Sequence, residues 1–430
     1  MFQVIKNAFS NPDLRKRLIY TMIIILIFRI GSAFLAPFVS TGVLNEVVAN
    51  NSDSFFGILN AFSGGAFGNA TVFAMSISPY ITASIVIQLL TVAIPALERM
   101  AKEGALGRKK LNKITRYTFI GMAFIQAIAY YIMLRNYNAI SSDFSSGFAK
   151  YFAAAIIVLS LVAGAALTVW LADRISDKGF GNGTSIILFA GIIANLPNTV
   201  AVLYENFKAG GANYFTVPLG IVLLLGIVVL IVIMNNSERR IPIQYAKRVV
   251  GRKMYGGQSS YIPIKIAVGG VIPIIFAMSI LAIPSTIAAF ATPEPGSFWA
   301  VLVSAFSTTG WIYCLCYFLM IIGFSYFYCA IQYNPIEIAN NLKQNNGAIA
   351  GIRPGRSTAI FIQKILSKIT FIGALFLAVI ALFPPIYSAI TKISLSLGGT
   401  SIIILVGVAL ETMRQLESEL TMRHYKGFLE

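Results

Sequence analysis

Few residues in this 430-residue sequence could do chemistry, and their spacing assembles no reaction centre. The single histidine, His424, lies in the C-terminal tail. Cys314, Cys316 and Cys329 share one apolar run, and two residues of separation point Cys314 and Cys316 to different sides of a helix. Neither a disulfide framework nor a metal site is supported, so small buried hydrophobes is the expected role. The glycine-rich DRISDKGFGNG, Asp173 to Gly183, looks like a phosphate-cradling loop. No strand precedes it and no P-loop lysine follows, so a tight turn that starts a helix fits better. Arg29 is the one charge well inside an apolar run, at an insertion cost of about 2.5–3.5 kcal/mol if left without a partner. It either makes a polar contact inside a helix bundle or snorkels to the nearer interface, and the contact is the preferred expectation. No zinc motif, serine–histidine pair or paired intramembrane acids can be assembled. An enzyme, a metal and a cofactor are not expected.

The elements that carry these residues are membrane spans. The chain is 57% hydrophobic and 11% charged, with a mean hydropathy of +0.77, which is the composition of a multi-span membrane protein. Ten apolar runs are candidate spans: Leu18–Pro37, Val72–Leu97, Tyr117–Met133, Tyr151–Leu171, Thr184–Leu203, Phe215–Met234, Ile266–Phe290, Trp311–Tyr333, Ile365–Pro384 and Gly398–Met413. The first lacks an A-x-A-like cleavage site and is expected to stay. With the N-terminus inside, 28 of the 33 Lys and Arg fall on the inner side and four on the outer, which fixes the orientation and places both termini in the cytoplasm. The net charge of +17 is therefore largely topological rather than a nucleic-acid footprint, and its remainder is free to attract anionic lipid or acidic partner surfaces. Phe2, Ile5 and Phe9 give the N-terminal segment an amphipathic helical pattern, turned into the first span after Asn11-Pro12.

Three segments do not fit plain spanning. Phe55, Phe56, Ile58, Leu59 and Phe62 follow helical spacing but stop at Gly64, Gly65 and Gly68, at less than half the ~20 residues a crossing needs. This piece either folds back into the membrane, where protein or a water-filled cavity must surround it, or lies on the outer surface. The span after it carries Ser76, Ser78, Thr82, Ser84 and Gln88, which suit a face turned to protein or a cavity. Two inner loops are unusually long. In 235–265, Ile241, Ile243 and Tyr245 alternate with other residues and face Tyr261 and Ile262–Ile264 across Gly256-Gly257, a two-stranded ribbon with a basic tip. In 334–364, a short helix leads into a Gly/Pro loop bearing Arg353 and Arg356. Basic, projecting loops of this length suit docking to a large cytosolic partner.

The blocks SPYITASIVIQLL, GFGNGTSIILFAGI, ERRIPIQYAKR, GVIPIIFAMSI, NPIEIANNLKQNNGAIAGIRPG and GGTSIIILVGVALE closely resemble the SecY family, the channel-forming subunits of protein translocases. The resemblance runs in order over essentially the whole chain. It implies an all-α membrane protein of ten transmembrane helices in two inverted five-helix halves, 1–210 and 211–430, around a central hourglass pore. It also implies a lateral gate between the second and third spans on one side and the seventh and eighth on the other. By the same resemblance the half-length piece, about residues 55–68, is a re-entrant plug helix. The family's pore ring falls on Ile77, Ile81, Thr184, Leu188, Ile275 and Ile404, with Thr184 departing from the usual aliphatic. A ring of this kind offers a passing chain no fixed polar partner while resisting ion leak. Partner docking is carried over to Arg239, Arg240, Lys247 and Arg248 in the first long loop, Arg353 in the second and Tyr425 in the tail. After FRIG the usual Ile-Pro-x-Pro-Gly is replaced by SAFLAPFVST, which departs from the family's outer-loop pattern.

The implied function is a passive, plug-gated channel of the bacterial cytoplasmic membrane that translocates unfolded secretory preproteins and releases hydrophobic segments sideways into lipid. The implied partners are SecE, SecG, the SecA motor, the ribosome through its RNA, signal peptides and membrane lipids. Two other classes stay in view. An inverted-repeat transporter of a small solute would need intramembrane carboxylates that are missing. A scaffold anchoring cytosolic machinery would not need the polar-faced second span.

Overall fold

The computed structural model describes residues 2–39, 55–140, 147–208, 210, 213–245, 248–250, 253–255, 259–267, 269–290, 305–306, 310–391 and 399–426. The first half contains α1 (Phe2–Ser10), α2 (Pro12–Gly31), α3 (Phe55–Ser63), α4 (Ser78–Ala93), α5 (Pro95–Lys102), α6 (Ala105–Asn136), α7 (Gly147–Lys178) and α8 (Gly183–Lys208). The second contains α9 (Asn213–Asn236), β1 (Glu238–Tyr245), β2 (Arg248–Val250), β3 (Lys253–Tyr255), β4 (Ser259–Lys265), α10 (Ile272–Phe290), α11 (Trp311–Gln332), α12 (Pro335–Gln344), β5 (Gly347–Ile349), α13 (Arg356–Thr391) and α14 (Gly399–Lys426).

Each of the ten apolar runs overlaps a helix, several of them only in part. Among the described residues, six helices are long and apolar enough to cross a membrane, and up to seven if α4 and α5 count as one bent span. Large apolar side chains remain exposed around them, such as Ile125 at 62%, Val222 at 65% and Leu319 at 58%, which is the surface a lipid-facing bundle requires.

Prolines and local polar chemistry set the boundaries. Asn11 caps α2, its Oδ1 accepting the Asp13 N–H at 3.2 Å with Pro12 in the first turn, as the N-terminal pattern predicts. The second run is not helical from Val72. Residues 72–77 form turns, the helix starts at Ser78-Pro79, and it breaks at Ile94, whose extended φ −109° and ψ 113° are what a following proline favours. α5 then leaves α4 at 102°. At the other extreme, α13 runs through Pro384 and Pro385 to Thr391, past the expected end of the ninth span. Packed neighbours in a membrane bundle can satisfy the backbone groups that a proline frees.

The DRISDKGFGNG segment is the tight turn expected of it. Residues 179–182 join α7 to α8, and Asn182 Oδ1 accepts from both the N–H and the hydroxyl of Thr184, at 3.2 and 2.7 Å.

The structure is not purely helical. The ribbon expected in 235–265 is present as β1 and β4, antiparallel with Ile241 opposite Ile262, and β2 and β3 form a second small hairpin at its tip. β5 adds to the far edge of β1, with Ile243 opposite Ile349, so both long loops share one sheet. Their inward faces make one apolar cluster with Ile241, Ile243, Ile264, Leu342, Ile349 and Cys329.

Candidate plug and pore site

The half-length helix α3 is inside the bundle, not on its surface. Its last turn is buried, with Ala61 1%, Phe62 6% and Ser63 0% exposed. Gly64 ends it in the left-handed region at φ +67°. The Gly65 N–H reaches back to the Asn60 carbonyl at 2.9 Å and the Gly64 N–H to Ala61 at 3.2 Å, which is the Schellman closure that favours glycine at this position. Phe62 then enters an apolar cluster built by α8 (Leu188, Ile192), α10 (Ile274, Ala277, Met278) and α14 (Ile402, Ile403, Ile404), with Ile81 and Ile275 packed against it.

Four of the six residues expected to form the pore ring belong to or border one apolar cluster. Leu188 and Ile404 are members of the same cluster as Phe62, and Ile81 and Ile275 pack against it. Ile77 is fully buried in the adjoining cluster with Phe28, Phe73, Ile175 and Ile187, and Ile81 packs against both clusters. Thr184 lies in the first turn of α8, where its hydroxyl donates to Asn182 Oδ1 at 2.7 Å.

After α3, residues 64–77 return through a chain of local bonds. Ser63 Oγ accepts the Phe67 N–H at 2.9 Å, and Asn60 Oδ1 accepts the Gly68 N–H at 2.8 Å. Tyr130 on α6 donates its hydroxyl to the Phe67 carbonyl at 2.5 Å, and the two rings meet edge to face at 4.8 Å. Of the plug residues, Phe55, Phe56 and Ile58 lie in α3, Leu59 is packed against the α6–α7 cluster, and Gly65 follows Gly64 at φ +89°.

Arg29 makes the polar contact rather than snorkelling. Its Nη1 donates to the Gly64 carbonyl at 3.2 Å. Gly191 of α8 packs against the same turn, and an added Cβ there would collide with the Phe62 carbonyl oxygen. Sequence reasoning missed Gly191. A lone glycine inside a helical pattern hints at a close backbone approach, but does not say to what.

The helix pairs named for the lateral gate are in contact. α4 packs on α6, with Gln126 Nε2 donating to Thr82 Oγ1 at 3.4 Å; α10 packs on α11, and α6 meets α10. Cys329 is buried, and Cys314 and Cys316 are partly buried, all three as free thiols on α11. Among the described residues no group of three or more His, Cys, Asp or Glu could hold a metal ion.

On the sheet side, Arg239 and Arg240 are exposed on β1. Arg240 Nε donates to Glu238 Oε1 at 2.7 Å while its guanidinium lies 4.8 Å over the Tyr261 ring. Its pKa is raised further by that hydrogen bond, so it carries a fixed positive charge. Lys247 lies outside the described residues and Arg248 opens β2. Arg353 is exposed in the turn before α13, its carbonyl held by Thr358 Oγ1 at 2.9 Å, and Arg356, also exposed, begins that helix. Tyr425 lies in the last turn of α14.

Comparison with known proteins agrees with this arrangement. A protein translocase subunit SecY from Halalkalibacterium halodurans is 42% identical, with all of both chains covered. A solved structure, reported as showing that the plug domain of the SecY protein stabilises the closed state of the translocation channel and maintains a membrane seal, has a TM-score of 0.64. It is 17% identical and covers 94% of this chain and 92% of that one. The Sec61 chain of a canine ribosome-channel complex from the endoplasmic reticulum has a TM-score of 0.60 at 16% identity, with coverage of 94% and 92%. The family model SecY matches residues 71–413, and with the full-length identity this shows that the chain belongs to the SecY family.

Proposed function

We propose that the chain is the protein-conducting channel of a bacterial secretory translocase, not an enzyme, passing unfolded preproteins through its centre and releasing hydrophobic segments sideways between α4/α6 and α10/α11. The observation that carries this reading is the seating of Phe62 in the apolar cluster shared by Ile81, Leu188, Ile275 and Ile404. A short helix occupies the point where helices of both halves of the chain converge. Only an aliphatic lining there tolerates any passing side chain.

In this reading ten spans form two inverted halves, 1–210 and 211–430, which meet through α8 with α14 and α6 with α10. The pore ring is Ile77, Ile81, Leu188, Ile275 and Ile404, with Thr184 at its cytosolic margin. Both termini are cytoplasmic, in a bacterial cytoplasmic membrane, as the inner-side excess of Lys and Arg supports. The shared β1–β4–β5 sheet, bearing Arg239, Arg240 and, nearby, Arg353, docks the SecA motor or the ribosome, and a ribosome is the partner of the canine relative. SecE and SecG complete the complex. Depleting the chain from its cell tests the proposal. Uncleaved secretory precursors accumulate in the cytoplasm within a few doublings if it holds, whereas normal export with impaired uptake of a solute contradicts it.

A further inference from the structure

We propose that Arg29 is a positioning residue that latches the plug closed, gripping the carbonyl at the C-terminal end of α3 while Gly191 lets the same turn approach α8 closely. The inference rests on reading α3 as the plug. A helix C-terminus exposes carbonyls that carry partial negative charge and attract a cation. The Schellman closure at Gly64 satisfies the carbonyls of Asn60 and Ala61 and turns the chain so that the Gly64 carbonyl meets the Arg29 guanidinium at 3.2 Å.

The seat is tight. A Cβ at Gly64 would stand 2.6 Å from Arg29 Nη1 and 3.0 Å from the Gly191 carbonyl oxygen, so both crowd residue 64 and leave no room there for a side chain. A Cβ at Gly191 would collide with the Phe62 carbonyl, so only glycine on α8 lets the plug backbone come this close. Arg29 is partly buried in α2, and among the described residues no carboxylate forms an ion pair with it. A guanidinium at such a position is costly to insert and would serve no packing purpose that an aliphatic residue could not serve better. What it supplies is a charged donor to a mobile element's end. A chain entering between α8 and α10 must displace Phe62 and, with it, draw Gly64 off Arg29, so the latch sets how readily the closed state yields.

The test is resting ion leak through the full chain, purified with its bound subunits and reconstituted in lipid vesicles, with membrane abundance checked for each variant. Arg29→Met removes the donor and keeps the chain length; it is expected to raise the leak roughly 10- to 100-fold, the range for losing a charge-assisted hydrogen bond. Arg29→Lys retains a single charged donor and should stay within about threefold of the parent. Gly191→Ala fills the seat without touching Arg29 and should leak as well. Deletion of 56–65 is the reference for an absent plug. If the deletion leaks while Arg29→Met and Gly191→Ala stay tight, the latch is overturned and the plug reading stands. If the deletion is also tight, the plug reading itself fails. If Arg29→Met does not reach parental abundance, Arg29→Gln, which removes the charge and keeps a polar side chain, replaces it: a raised leak supports the latch and a tight membrane overturns it.

Discussion

Tyr130→Phe isolates one hydrogen bond at the root of the plug. The ring is 4% exposed and meets the Phe67 ring edge to face at 4.8 Å, and phenylalanine keeps that packing. What is lost is the hydroxyl that donates to the Phe67 carbonyl at 2.5 Å. An orphaned buried acceptor costs about 1–3 kcal/mol. The Phe67 carbonyl is not fully orphaned, because the Ala70 N–H also reaches it at 3.2 Å. The expected loss is therefore near the low end, about 1 kcal/mol, since the carbonyl keeps the Ala70 N–H. Unfolding of the purified complex by graded denaturing detergent measures it, as a modest fall in the midpoint with abundance preserved. An unchanged midpoint would refute the claim that this bond anchors residues 64–77 to α6. A loss several times larger would mean that α6 depends on the contact for more than one hydrogen bond.

Other perturbations address the cytosolic side. Arg353→Glu reverses an exposed charge whose backbone is held by Thr358, so the complex should reach normal abundance while motor-driven export falls by an order of magnitude or more; unaltered export removes Arg353 from the docking surface. Ile349→Ala opens a cavity in the cluster joining β5 to β1 and should cost about 2–4 kcal/mol of local stability, seen as faster limited proteolysis within 334–364, whereas unchanged cleavage would show that the two loops are not coupled through this sheet.

Much of the bundle was legible because the bilayer leaves the sequence few choices. Each apolar run contains helix, and the run too short to cross became a helix that ends inside the protein. Helix ends were less legible. The run from Val72 reads as continuous by hydropathy, yet Pro79 and Pro95 confine the helix to Ser78–Ala93, while Pro384 does not end α13, because the backbone groups freed by a proline depend on neighbours that hydropathy does not describe. β5 is three residues, Gly347 to Ile349, with no strand pattern of its own; it is a strand only because the edge of β1 lies beside it. Pairing across a hundred residues leaves no local trace. The ring positions came from family resemblance, and an isoleucine taken alone reads as core or lipid-facing. Thr184 illustrates the limit: the position carried over to the ring holds a polar residue, and its hydroxyl and N–H are bound by Asn182 two residues earlier. Gly191 was missed for the same reason as β5, since what requires glycine there is a backbone from another part of the chain.

The central claim is that a polypeptide passes through the apolar cluster where Phe62 now sits. Site-specific photo-crosslinkers at Ile81 and Ile275, which approach that cluster from α4 and α10, test it most directly. With a secretory polypeptide stalled in reconstituted vesicles, adducts should form from both positions and depend on the motor or ribosome that drives the chain in. Absence of adducts from both, with the same polypeptide crosslinking in a control channel, would contradict the account.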